Sequence, residues 1–381
     1  MGDKLRVALV YDRVNKFGGA ERVLLTLHEI WPNAPLFTSV YNSETAPWAT
    51  DFDVRTSFLQ KFPLAKTRHE FYPWLTPLVF ESFNFDEFDV VVSITSADAK
   101  GIITKPGTFH ICYCLTPTRY LWSGYNDYFH SKVFKFLASP LVSCLRAWDR
   151  IAATRPDIYI AISENVKRRI KKYYGRDSTV IYPPLDTEKF SLKYPKPYAL
   201  NPIPYFLVVS RLVAYKRIDI AIEAFNKLGF PLKIIGSGLE EKNLKKMAQK
   251  NIEFLGNLTE EQLVGYYQEC QALIFPTDED FGLAPLEAQA CGRPVIAFRG
   301  GGALETIVDP AKAKRLAGQG ATGEFFYPQT AEALAEKILR YKDTKILREK
   351  FAPDDCRKNA QRFSKEVFKA KFKKFIAKCT R

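Results

Sequence analysis

The sequence predicts an α/β protein of two domains, each a parallel sheet covered by helices on both faces. Three observations carry that expectation. Short apolar runs alternate with amphipathic helical segments in both halves of the chain. The runs are apolar throughout rather than alternating apolar and polar, the pattern of strands buried on both faces. The length of 381 residues, 46% of them hydrophobic, suffices for two cores.

In the first half, Leu5–Tyr11 reads as a strand, followed by Gly18-Gly19 and a helix over Ala20–Ile30. Glycines just after a strand let the backbone approach a ligand, or simply make a turn. Their spacing is not G-x-G-x-x-G, which disfavours a dinucleotide dehydrogenase. Val90–Ile94, Ile111–Leu115 and Ile158–Ile162 are further strands, and Val166–Tyr174 is a helix. Tyr120–Ala153 differs: Phe, Leu and Trp are interleaved with Lys132, Lys135, Arg146 and Arg150. It reads as one or two amphipathic helices, serving either core packing or contact with a lipid-linked acceptor or membrane surface. Six prolines between Tyr182 and Pro204 mark an interdomain linker. The expected division is 1–190, a linker at 191–204, a second domain over 205–362, and a basic helix over 363–381.

In the second half, the strand Tyr205–Val209 is followed by Ser210-Arg211-Leu212 and Lys216. Ligands of open α/β sheets bind beyond strand ends, and Arg and Lys there suit phosphate oxygens. Gly236 and Gly238 follow in an Ile-Gly-Ser-Gly loop, read as a turn or as a loop beside a nucleotide. Ala272–Phe275 is a short buried strand, and a helix opens at Pro285 and closes at Gly292. Glu279 therefore falls in the strand-to-helix loop and Glu287 in the first helical turn. Helix N-terminal amides favour a diphosphate, and carboxylates accept hydrogen bonds from sugar hydroxyls.

The stretch from Glu279 to Glu287, EDFGLAPLE, resembles the E-x7-E motif of the retaining GT-B glycosyltransferases of family GT4. Its neighbours strengthen the resemblance: Ser210-Arg211 with Lys216, Phe254-Leu255-Gly256, Arg293-Pro294, Gly300-Gly301-Gly302 and Glu305. Gly19-Ala20-Glu21-Arg22, Tyr182-Pro183-Pro184 and Gly323-Glu324-Phe325-Phe326 resemble the mannosyltransferase-like branch that builds surface polysaccharides. The resemblance implies two Rossmann-like domains with a donor site in the interdomain cleft, and transfer of a hexose to a growing glycan or lipid-linked acceptor. It implies a GDP- or UDP-sugar donor, GDP-mannose foremost. Arg211 and Lys216 would contact the diphosphate and Glu279 the sugar. Phe281, Gly282 and Leu283 would offer backbone amides, Glu287 would bind ribose hydroxyls, and Gly18 and Gly19 would lie near the donor phosphates. One position departs from the pattern. Relatives carry His-Thr-Pro where this chain has Leu115-Thr116-Pro117, and His110, at the other end of that strand, is too distant to substitute. That departure keeps open a non-catalytic nucleotide-sugar-binding protein.

Arg211 and Lys216 can stabilise a leaving diphosphate as fixed cations, so neither a metal nor another cofactor is expected. The seven cysteines form neither a zinc quartet nor a disulfide framework. The first strand begins almost at Met1, leaving no room for a signal peptide. No apolar run approaches the roughly 20 residues of a membrane span. A cytoplasmic protein, peripheral on the membrane, is the expectation. The net charge is +14, and residues 340–381 hold 15 Lys/Arg against 5 Asp/Glu, so +10 of it is there. That tail is a solvated helix face or an anionic-membrane contact; no nucleic-acid module is recognisable. Phe368, Phe372, Phe375 and Ile376 share one helical face, so the stripe is either packing or part of that contact.

Overall fold

The computed structural model describes residues 5–125, 132–191, 204–315, 318–341 and 349–379. Most of the expected linker at 191–204 lies outside them, as does the side chain of Lys132. The chain divides into two compact units, one of Met1–Pro184 with Phe368–Arg381, the other of Leu185–Val367.

The first unit is built on seven parallel strands: β1 (Val7–Tyr11), β2 (Leu36–Thr38), β3 (Val54–Thr56), β4 (Val90–Thr95), β5 (Phe109–Cys114), β6 (Ile158–Ala161) and β7 (Ser178–Val180). Their order is β3-β2-β1-β4-β5-β6-β7. The central strands β1 and β4 are buried along their whole length, which is why their residues are apolar on both faces. The second unit has six strands: β8 (Phe206–Val209), β9 (Leu232–Ile235), β10 (Ile252–Gly256), β11 (Leu273–Phe275), β12 (Val295–Phe298) and β13 (Gly323–Phe326). Their order, β10-β9-β8-β11-β12-β13, is also parallel throughout. Numbered within the unit this is 3-2-1-4-5-6, the doubly wound arrangement whose direction reverses between its first and fourth strands.

Helix ends differ slightly from expectation. The first helix runs Gly19–Ile30, and the one after β6 starts at Glu164, where Ser163 accepts a hydrogen bond from the Val166 amide. The helix after β11 is shorter than expected, Ala284–Ala290, with Gly292 beyond it at φ 71°. In the aromatic region the described residues include one long helix, Lys132–Ala152, running through Pro140.

The tail helix, Lys365–Cys379, buries Phe368, Phe372 and Ile376. Phe372 lies 6.0 Å from the Trp31 ring and 6.1 Å from Tyr113, and Phe368 lies 6.0 Å from Tyr113. The aromatic stripe is thus core packing of the first unit. Lys371, Lys373 and Lys374 stand on the exposed face, and Lys369 pairs with Glu29.

In the first unit, the buried Asp12 carboxylate, just past β1, accepts hydrogen bonds from the Thr95 hydroxyl (2.8 Å) and from the amides of Ser96 (2.7 Å), Asp98 (3.0 Å) and Ala99 (3.0 Å). It satisfies backbone donors that burial would otherwise leave unpaired. Lys100 donates to Asp149 at 2.5 Å, and Thr118 and Trp122 donate to the same carboxylate at 2.6 and 2.7 Å. That network fixes the loop following Leu115.

Candidate active site

The candidate residues of the second unit converge on loops at the carboxyl ends of its strands. Beyond β8, Ser210 and Arg211 lead into a single 3-10 turn, Ala214–Lys216. Arg211 donates to the Tyr215 hydroxyl at 2.6 Å. Lys216 has its side chain 7% exposed and forms an ion pair with Glu279, which is 22% exposed. The Tyr215 ring lies 5.3 Å from the same ammonium. Thr277, in the loop after β11, donates to the Lys216 carbonyl at 2.8 Å. One ion pair and one hydrogen bond therefore join the loops after β8 and β11, neighbouring strands at which the order reverses. Open α/β sheets take their ligands at that place.

Close backbone packing shapes this ground. A Cβ at Gly236 would lie 1.9 Å from the Ser210 carbonyl oxygen, and one at Gly238 would lie 2.2 Å from that of Leu212. Gly236 also has φ 128°, a conformation other residues rarely adopt. Both glycines thus support the Arg211 loop from beneath. Gly301 and Gly302 do the same for Glu279. The Gly302 amide donates to the Glu279 carbonyl at 2.7 Å, and a Cβ at Gly301 would lie 2.1 Å from that oxygen. Phe281 is buried, Gly282 has φ 83°, and Leu283 precedes the helix Ala284–Ala290. Glu287, in that helix's first turn, is buried and accepts a hydrogen bond from the Tyr267 hydroxyl at 2.7 Å.

Tyr267 and Thr277 carry no motif, and sequence reasoning missed both. Tyr267 lies on the helix Glu260–Glu269, 20 positions before the carboxylate it holds. Gly18 and Gly19 belong to the first unit. Gly18 is extended at φ −173°, and Gly19 opens the first helix. Glu21, in its first turn, accepts from the buried Tyr11 hydroxyl at 2.6 Å. Burial, and then the Glu21 charge, hold that phenol well above its ordinary pKa. His110 sits inside β5 with its Nε2 2.8 Å from the Ser93 hydroxyl, and burial depresses its pKa to about 3. It is a core histidine, and Leu115 has no imidazole to replace it. Among the described residues no cluster of metal-ligating side chains occurs.

The parallel sheets flanked by helices, one per unit, are the GT-B fold. Two family models match the chain in tandem: Glycosyltransferase Family 4 over residues 17–189 and Glycosyl transferases group 1 over residues 194–361. The chain belongs to the family 4 glycosyltransferases. The O-antigen chain mannosyltransferase C of Escherichia coli is 26% identical over 320 residues, covering 77% of this chain and 79% of that one. The GDP-mannose-dependent monoacylated alpha-(1-6)-phosphatidylinositol monomannoside mannosyltransferase of Corynebacterium glutamicum is 28% identical over 225 residues, covering 52% and 56%. Against several of its curated relatives the chain spans about half their length. Anabaena HepE in complex with UDP superposes with a TM-score of 0.71 at 17% identity, over 98% of this chain and 100% of that one, which is a likeness of fold.

Proposed function

We propose that the protein is a retaining hexosyltransferase that moves mannose from GDP-mannose to a growing glycan or lipid-linked acceptor, at an anionic membrane surface. One observation carries the reading: Lys216 and Glu279 meet where the loops after β8 and β11 adjoin. In this reading Arg211 and Lys216 hold the donor diphosphate and stabilise it as it leaves. Glu279 exchanges Lys216 for hydroxyls of the transferred sugar. Glu287, oriented by Tyr267, binds the ribose hydroxyls. Phe281, Gly282 and Leu283 offer amides, Gly236 and Gly238 shape the donor loop, and Gly18 and Gly19 border the donor and acceptor. No protein nucleophile takes part: the leaving phosphate assists deprotonation of the acceptor hydroxyl on the same face of the sugar.

The names of the mannosyltransferase relatives support mannose as the sugar. The UDP in the Anabaena structure favours a second reading, a UDP-sugar donor on the same loops. Donor hydrolysis and transfer assays with GDP-mannose, UDP-glucose and other nucleotide sugars test both. Turnover of GDP-mannose alone supports the first and turnover of UDP-sugars alone the second. Donor binding without turnover under any acceptor would make the chain a nucleotide-sugar-binding protein. The two cations replace a divalent metal, so activity is expected to persist in EDTA. Loss of activity restored by manganese would refute that role.

A further inference from the structure

The first unit carries an apolar face that its own core leaves uncovered. Between Phe58 and Phe80, the side chains of Leu59, Ala65, Val79 and Phe80 are inside the core. The same segment turns Phe58, Phe62, Leu64, Phe71, Trp74 and Leu78 outward, with Leu64 63%, Trp74 54% and Leu78 56% exposed. The segment is therefore anchored from within and apolar without. The outer rings run together: Phe58 to Phe62 at 6.1 Å, Phe62 to Tyr72 at 5.5 Å, and Tyr72 to Trp74 at 6.1 Å. Leu64 at φ 57° is one of two non-glycine residues with positive φ among the described residues. A branched side chain rarely adopts that conformation, and here it sets an apolar group at the exposed tip of a turn.

Exposed Lys61, Lys66 and Arg68 stand among these side chains, with Glu70 the acid between Phe58 and Leu78. Apolar and aromatic groups interleaved with cations match the interface of an anionic bilayer. There the rings enter the headgroup layer and the cations meet lipid phosphates. The face also adjoins the loop that leads to Gly18. Asn15 donates to the Lys66 carbonyl at 3.2 Å, Trp48 donates to the Lys16 carbonyl at 2.8 Å, and Phe17 lies against Trp48.

We propose that the Phe58–Leu78 face docks the first unit on an anionic lipid surface, with Phe62, Leu64 and Trp74 entering the interface. This would bring a lipid-linked acceptor to the Gly18-Gly19 loop, and that part rests on the function proposed above. The charge complementarity of Lys61, Lys66 and Arg68 selects a bilayer over a protein partner.

The test is sedimentation of the full chain with vesicles of equal parts phosphatidylglycerol and phosphatidylcholine, and with phosphatidylcholine alone. Wild type is expected to bind the anionic vesicles at least tenfold more tightly, and less so as salt rises. Leu64→Asn with Trp74→Ser is expected to lower that binding at least tenfold. Asn suits the left-handed conformation, so the turn is kept. Lys61→Gln, Lys66→Gln and Arg68→Gln together should remove the preference for anionic lipid. Changing Lys369, Lys371, Lys373 and Lys374 to Gln serves as the comparison and should matter less. Three results would overturn the proposal: no binding by wild type, full binding by both face variants, or a lipid-free dimer abolished by the same substitutions. Donor hydrolysis without lipid is read in parallel. Hydrolysis without vesicle binding sinks this inference and the membrane setting of the proposed function, and spares the proposed transfer reaction. Face-dependent binding without turnover of any donor does the reverse.

Discussion

The pairing of Lys216 with Glu279 separates activity from stability in an asymmetric way. Lys216→Ala leaves a carboxylate that is 22% exposed and can recruit water, whereas Glu279→Ala leaves an ammonium only 7% exposed. Breaking a buried pair by removing one partner costs about 3–5 kcal/mol, and a carboxylate near water costs much less. Glu279→Ala is therefore expected to destabilise the second unit by about 2–3 kcal/mol, with the Tyr215 ring beside the ammonium offsetting part of the cost. Lys216→Ala is expected to cost about 1 kcal/mol. On a unit of this size the larger figure lowers the melting temperature by about 4–12 °C. The double variant should recover part of the loss, since it strands no charge. Transfer activity should follow another pattern. Each single substitution removes a charged contact to the donor, worth about 3 kcal/mol or roughly a hundredfold in rate, and the double variant should recover none of it. Calorimetry and donor turnover on the same three proteins measure both quantities. Near-normal turnover in the two single variants would refute the site. Equal destabilisation by both would refute the burial argument.

Other expectations follow from single contacts. Tyr267→Phe removes the hydroxyl that holds Glu287 and should weaken donor binding by about 1.5–3 kcal/mol, read by calorimetric titration, with little change in the rate at saturating donor. Phe372→Ala empties a fully buried site beside Trp31 and Tyr113, so denaturant unfolding should show a loss of about 3–5 kcal/mol. The first unit should lose stability as pH falls below about 6.5. The unfolded chain then binds a proton at His110, whereas the folded one refuses it down to about 3. That single histidine accounts for about 2 kcal/mol at pH 5, and His110→Asn should flatten the pH dependence by that amount in urea titrations.

Much of the fold could be read along the chain because its strands are buried on both faces. A run such as Val90 to Ile94 needs no tertiary information to be recognised. The site was legible where a motif sits in one loop, as from Glu279 to Glu287. It was illegible where the supporting group arrives from elsewhere. Nothing near Tyr267 shows that its hydroxyl faces Glu287, and nothing near Gly301 shows that the Glu279 backbone presses on it. The tail stripe of Phe368 and Phe372 allowed packing or membrane contact until Trp31 and Tyr113 were found against it. Such contacts join residues far apart in sequence, and helical periodicity cannot report them.

The tail has a consequence for how the protein is made. The first unit is interrupted: 183 residues, Leu185–Val367, separate Pro184 from the Phe368 that completes its core. At about 5–20 residues per second, a ribosome needs roughly 10–40 s to cross that gap. Through that interval Trp31 and Tyr113 await the rings that cover them. The unit that emerges first is finished last, and a fragment ending at Pro184 would keep that apolar surface open for good.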